Sequence, residues 1–165
     1  MYKFKVIPIM MLSLIIMSCD TNQSQSTLIQ NGIKDFEALI KLEVDIKNVD
    51  WEITSMPEDV TTNDLGEPHR IHAVIKLDSL NMAKLTSISQ TAKRVNDEVY
   101  LNPSRVRNWY PKKIKNLYFK EGDFYRLKKE ALNSESIIDT SKELYHGYYV
   151  IVDENTIFLS VYTSR

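Results

Sequence analysis

From Val6 to Met17 the chain is apolar apart from Pro8 and Ser13, and this run of twelve residues stops just short of the only cysteine, Cys19. A helix that spans a bilayer needs roughly 20 apolar residues, so the run is too short for a permanent anchor and matches the apolar region of a secretory leader. Lys3 and Lys5 supply the short positive segment ahead of it. The consequence for folding is strict. Residues 1–18 are removed from the domain, and the remaining chain must build its core without an internal disulfide. Cleavage after residue 18 leaves 147 of the 165 residues, enough for one domain that buries about 68–70% of its unfolded surface.

The run ends in Ile16-Met17-Ser18-Cys19: an aliphatic residue, a tolerant position, a small residue, then cysteine. This tetrapeptide resembles the lipobox of bacterial lipoproteins. The resemblance covers about the first 20 residues. It implies a diacylglycerol thioether on Cys19, cleavage before it, and acylation of the new amino group by a palmitate-type chain. The competing reading is a cysteine that happens to lie beside an ordinary cleavage site. The positive segment, the run length and the cysteine position all agree with the lipoprotein reading. Two or three acyl chains anchor stably, since each buried CH₂ contributes about 0.8 kcal/mol and one chain alone is marginal. The expected location is the cell envelope, facing the periplasm or the exterior. Asp20 resembles the inner-membrane retention signal of enterobacterial lipoproteins, so the choice of membrane depends on whether those sorting rules apply. Loss of Lys3 and Lys5 takes the formal charge from −1 to −3, which gives no reason to expect nucleic acid or another polyanion as partner.

The expected organisation is a leader over 1–18, the lipidated cysteine and a polar tether over 19–31, and a single domain over 32–165. The tether (DTNQSQSTLIQN after Cys19) is short of large apolar groups and cannot join a core. Ile33, Phe36, Leu39 and Ile40 then fall at helical spacing, which predicts a short helix over 33–41 with Asn31 or Gly32 able to cap it. Over 42–47 the pattern turns strand-like without settling. Val49, Trp51 and Ile53 alternate with polar residues and predict a strand over 49–55 with Trp51 inward. A second strand is expected over 70–77, antiparallel to the first. Asp78 or Ser79 can cap a helix that runs to about Gln90, and Asn102-Pro103 marks another helix start whose apolar positions continue to Leu117, interrupted or shifted at Pro111. Residues 119–127 fit either class, and 128–144 read as helical by propensity. Tyr148–Val152 and Thr156–Tyr162 flank Asp153-Glu154-Asn155 and predict a β-hairpin with a three- or four-residue loop. The fold class is therefore α+β: an antiparallel sheet of about four strands, two or three helices on one face, and a C-terminal hairpin.

Chemistry is thinly signalled. The four glycines, Gly32, Gly66, Gly122 and Gly147, are isolated, which leaves no phosphate-cradling loop, dinucleotide fingerprint or nucleophile elbow. His69 and His72 are three apart, so on a strand they point to opposite faces and cannot share one ion. Glu58, Asp59, Asp64 and Glu67 cluster in the 57–68 loop and offer oxygen ligands, but without EF-hand spacing they read better as a solvated acidic surface. His146 stands beside Tyr145, Tyr148 and Tyr149. It suits either a ligand-binding cluster or a strand start whose ring packs on its neighbours. From Arg105 to Lys120 the cations Arg105, Arg107, Lys112, Lys113, Lys115 and Lys120 mix with Trp109, Tyr110, Tyr118 and Phe119, a pattern that suits anionic partners or an amphipathic helix with core aromatics and a wet basic face. No catalytic residue, metal or cofactor is expected, and the chain reads as a non-enzyme.

The functional expectation is an envelope binding module for another protein, with an immunity or inhibitor protein as the narrower form. The preferred contact surfaces are the acidic loop (Glu58, Asp59, Asp64, Glu67) and the basic aromatic stretch (Arg105, Arg107, Trp109, Lys112, Lys113, Lys115). The alternatives are an assembly lipoprotein that contacts the cell wall and, last, a hydrolase with a site near His69 or His146. Trp51-Glu52-Ile53-Thr54-Ser55-Met56-Pro57-Glu58 also resembles a strand-and-turn pattern in small uncharacterised bacterial proteins, and this resemblance implies no activity.

Overall fold

The structure, a computed structural model, describes residues 29–55, 69–95, 99–101, 106–139 and 145–163. Its centre is a five-stranded, fully antiparallel sheet in the order β1-β2-β8-β7-β6. The strands are β1 (Asn48–Ser55), β2 (His69–Lys76), β6 (Leu132–Asn133), β7 (Tyr145–Asp153) and β8 (Thr156–Thr163). The expected β1–β2 pair forms with Trp51 opposite Ala73. The C-terminal hairpin forms too, but Asp153 pairs directly with Thr156, so only two residues lie between the paired ends. Gly147 sits in β7 at φ +145°, and a Cβ there would lie 2.2 Å from the Ser160 carbonyl oxygen of β8. Only glycine lets the two backbones pass at that distance.

One face of the sheet carries the first two helices; the third lies on the opposite face, so the expected placement of all helices on one face does not hold. Val49, Trp51, Ile71, Ala73, Ile75, Ile157, Leu159 and Val161 point to it and bury against Phe36, Ile40, Met82 and Leu85. Phe36 and Ile40 belong to or flank α1 (Ile33–Leu39); Met82 and Leu85 belong to α2 (Ser79–Thr91). The carboxylate of Asp78 caps α2 by accepting from the Asn81 N–H at 2.8 Å. Gln30 extends this edge: its N–H and carbonyl bond the Trp51 backbone at 2.8 and 2.9 Å. The polar segment ahead of the domain is therefore tied down by its penultimate residue.

The opposite face is covered as well, which the alternation in the sequence does not announce. A second sheet, β3-β5-β4, comprises β3 (Tyr100–Leu101), β4 (Tyr118–Glu121) and β5 (Phe124–Leu127), the last two joined by a tight turn at Gly122, φ +60°. With the short helix α3 (Lys112–Lys115) it buries Tyr118, Leu127, Ile114 and Leu117 against Val74, Tyr148, Val150 and Phe158 of the main sheet. Three expectations change here. The sheet has five strands, and a second sheet accompanies it. The helix expected from Asn102-Pro103 does not run to Leu117, because Pro111 has no N–H to donate to the preceding turn. Residues 106–110 form turns, and α3 begins after the proline; residues 102–105 lie outside the described residues. Finally, the described part of 128–144 is extended or 3-10, not α-helical. Leu132, Ile137 and Ile138 turn into the core, while the Asn133 side chain accepts from the Glu135 N–H and opens the 3-10 turn Ser134–Ser136. Burial of three apolar side chains on a short loop outweighs a propensity difference of a few tenths of a kcal/mol per residue.

Candidate functional site

The register of the main sheet sets a row of polar side chains side by side on the face beneath α3 and the second sheet. Glu52 pairs with His72, His72 with Ser160, and Ser160 with Tyr148. Directly paired residues share a face, so these four form one line across β1, β2, β8 and β7. Glu52 and His72 are 0% exposed and Ser160 is 2% exposed.

A carboxylate this deep must be compensated, since burying an ion without partners costs several kcal/mol. Arg107 donates from Nε to Glu52 Oε1 at 2.6 Å, and Trp109 donates from Nε1 to Oε2 at 2.8 Å. The 106–110 turn is thus pinned to the sheet by one acid. Its last residue, Tyr110, packs edge-on to Phe158 and Trp109, with centroids 5.2 and 4.8 Å away. Burial, reinforced by the negative charge of Glu52, pushes the Tyr110 phenol far above its ordinary range. It stays protonated at any physiological pH.

Glu, His and Ser on three neighbouring strands have the composition of a hydrolase triad. In the structure these groups are buried and engaged with their neighbours. Both Glu52 oxygens accept from Arg107 and Trp109, and the His72 ring stacks on Phe158 (6.1 Å, 16°) with the edge of Tyr110 against it. At 0–2% exposure, a reacting carbonyl reaches these groups only if the covering layer opens. A second row, Thr54–Arg70–Tyr162–His146, is more open. There the Arg70 guanidinium lies 5.5 Å over the Tyr162 ring, and His146 Nδ1 is 2.9 Å from Glu135 Oε1.

The residues singled out from sequence fall into several groups. Cys19, Glu58, Asp59, Asp64, Glu67 and Arg105 lie outside the described residues. Arg107 and Trp109 turn their polar ends inward to Glu52. Lys113 reaches Asp153 Oδ2 at 2.7 Å and Thr156 Oγ1 at 2.6 Å, and Lys115 donates to the Asn108 carbonyl at 2.8 Å. Lys112 is exposed. The stretch is therefore part clamp and part surface. His69 and His72 do point to opposite faces: His69 meets Tyr145 (rings 6.0 Å apart) beside the helical layer, and His72 lies under the second sheet. Glu52 is the functional-type residue that sequence reasoning missed. The signal was present in β2, β7 and β8, where Ala73-Val74-Ile75, Val150-Ile151-Val152 and Ile157-Phe158-Leu159 are apolar at consecutive positions. Such runs mark a sheet covered on both sides, and an acid on its neighbouring strand then has to be buried.

Comparison with protein-family models, with curated proteins and with solved structures finds no match to this chain.

Proposed function

We propose that the chain is a lipid-anchored envelope protein whose domain is a binding module for another protein, with an immunity or inhibitor role as its narrower form. The observation that carries the reading is Ile16-Met17-Ser18-Cys19 at the end of a twelve-residue apolar run. Gln30, whose backbone is bonded to β1, lies eleven positions after Cys19. A chain of that length reaches at most about 40 Å when fully extended, so a lipid on Cys19 keeps the domain close to its membrane. Charge separation supports a binding role. Residues 106–129 contain eight Lys and Arg against two carboxylates, a formal +6, while the −3 of the chain from Cys19 leaves −9 for the remainder. Such asymmetry steers charged partners and fixes their orientation.

Mass spectrometry of the protein from its native envelope tests the anchor. The expected species begins at Cys19 and carries diacylglycerol with or without an amide-linked acyl chain. A free thiol at Cys19 or a retained leader refutes it. For the immunity form, a deletion strain is expected to become sensitive to a secreted toxin, and expression of the Cys19→Ser chain is expected not to restore protection.

A further inference from the structure

Where the polar leading segment meets α1 stands Asn31-Gly32, the only asparagine–glycine pair in the chain. Both of its sides are fixed. Gln30 exchanges two backbone hydrogen bonds with Trp51 of β1, at 2.8 and 2.9 Å, and the Gly32 carbonyl accepts from the Phe36 N–H at 3.0 Å to start α1. Asn31 itself is exposed. Neither its carboxamide nor the Gly32 N–H makes a hydrogen bond among the described residues. Other asparagines are held. The Asn81 carboxamide bonds Asp45 and Asp78, and the side-chain carbonyls of Asn133 and Asn155 accept from the Glu135 N–H and the Thr156 hydroxyl. A glycine nitrogen has no adjacent Cβ to shield it, and its backbone turns more freely than any other.

We infer that Asn31 is a modification site, where spontaneous deamidation converts the residue to aspartate and isoaspartate. The inference stands apart from the lipid-anchor reading. The Gly32 backbone nitrogen attacks Cγ of the Asn31 carboxamide. The new N–Cγ bond closes a succinimide ring, the backbone amide gives its proton to solvent, and the carboxamide nitrogen leaves as ammonia. Water then opens the ring at either carbonyl. Cleavage of N–Cγ leaves an ordinary aspartate at position 31. Cleavage at the α-carbonyl leaves isoaspartate, whose main chain runs through Cβ and Cγ and is longer by a methylene. Water is consumed and ammonia released, with no change of oxidation state. Both products place a carboxylate where a neutral amide stood, but only isoaspartate lengthens the path from Gln30 to α1. The weaker attachment absorbs that methylene. Gln30 is held by a lone bridge at the sheet edge, whereas α1 is held by Phe36 and Ile40 in the core. An edge pair of this kind opens at lower free energy than a core element. Isoaspartate therefore releases Gln30 from β1 and uncovers the Trp51 backbone.

The folded full chain, incubated at mildly alkaline pH, is mapped by peptide mass spectrometry, and isoaspartate is counted by enzymatic methylation with a labelled methyl donor. The amide-to-acid mass gain is expected at Asn31 ahead of every other asparagine, with isoaspartate among the products. Gly32→Ala is the control. The φ of −82° suits alanine, and the added Cβ meets first the Asp35 carboxylate, at 2.6 Å, which is the far end of a flexible side chain. Asn31 is expected to stay intact in that variant over the same incubation. Conversion that Gly32→Ala leaves unchanged, or that runs faster at another asparagine, overturns the site. So does an Asn31 that stays intact in the folded chain and converts only in urea, because the fold then blocks the attack. Hydrogen exchange reads the release. The Gln30 and Trp51 amides are expected to lose protection in the isoaspartate fraction and to keep it in Asn31→Asp, which carries the charge without the methylene. Equal protection in the two forms overturns the release of Gln30.

Discussion

Removal of the Arg107 guanidinium leaves a carboxylate at 0% exposure with Trp109 as its remaining donor in the clamp. Arg107→Met preserves most of the aliphatic stem, so the change isolates charge and hydrogen bonding from packing. At the observed 2.6 Å and an effective dielectric of about 20, the gross attraction is about 6 kcal/mol. Desolvation of the two ions offsets several kcal/mol of that. Breaking a buried pair from one side ordinarily costs about 3–5 kcal/mol. The Arg107 side chain is 26% exposed, so its charge is already partly hydrated, and the expected loss is smaller, about 2–4 kcal/mol. Urea unfolding of the chain from residue 19 with Cys19→Ser should show a midpoint lowered by about 1–3 M for slopes near 1.5–2 kcal/mol per molar. The second arm of the cycle is Glu52→Leu combined with Arg107→Met. It removes both charges and should recover most of the loss, to within about 1 kcal/mol of the parent. A single Arg107→Met variant within about 0.5 kcal/mol of the parent, or a double variant no better than the single, would show that Glu52 is hydrated and that the clamp reasoning is wrong.

Three further outcomes derive from the same geometry. Trp109→Phe removes the indole N–H that bonds Glu52 Oε2 at 2.8 Å; a hydrogen bond to a charged group contributes about 1.5–3 kcal/mol, and urea titration should show a loss in that range. Gly147→Ala forces a Cβ to within 2.2 Å of Ser160 O and 2.8 Å of Val161 Cα at φ +145°. Strain and overpacking together should cost about 2–5 kcal/mol, and a thermal melt within about 1 °C of the parent would contradict the observed strand approach. Stability should fall at acid pH through two carboxylates. The Asn81 N–H holds Asp78 below 3.8. Burial pushes Asp153 up, but hydrogen bonds from Lys113, Asn155 and Thr156 and the Lys113 charge outweigh it and hold it below 3.8 as well. A depressed folded pKa means stabilisation that is complete above the unfolded value and is lost as pH falls through the folded one. Melting temperatures of the parent should therefore decline below about pH 4, and Asp153→Asn should flatten part of that decline.

Much of the main sheet was legible because its alternation is strong. Val49, Trp51 and Ile53, then Ile71, Ala73 and Ile75, announce two strands, and the C-terminal hairpin is written in two β-branched, aromatic runs around Asp-Glu-Asn. The Asp78 cap was readable for the same local reason. The covering layer was not. Its elements are two to four residues long, below the length at which any period can be counted, and a Lys-rich stretch with aromatics at irregular spacing looks like a helix until Pro111 is given its full weight. Residues 128–139 misled through propensity. A segment whose only strong demands are the burial of Leu132, Ile137 and Ile138 takes whatever backbone delivers them to the core. The site was hidden by one inference, that the face of β1 carrying Asp50, Glu52 and Thr54 meets water. Once a second layer covers that face, Glu52 becomes the residue that most needs a partner.

That reversal also bears on where binding can occur. Arg107 and Trp109 stood among the residues expected to meet a partner, yet their polar groups are committed to Glu52, and Lys113 and Lys115 are committed to Asp153, Thr156 and the Asn108 carbonyl. The clamp converts the basic stretch from a uniform surface into a mount. It holds the 106–110 turn and α3 against one side of the main sheet, and the β4–β5 hairpin packs beside them with its rings outward.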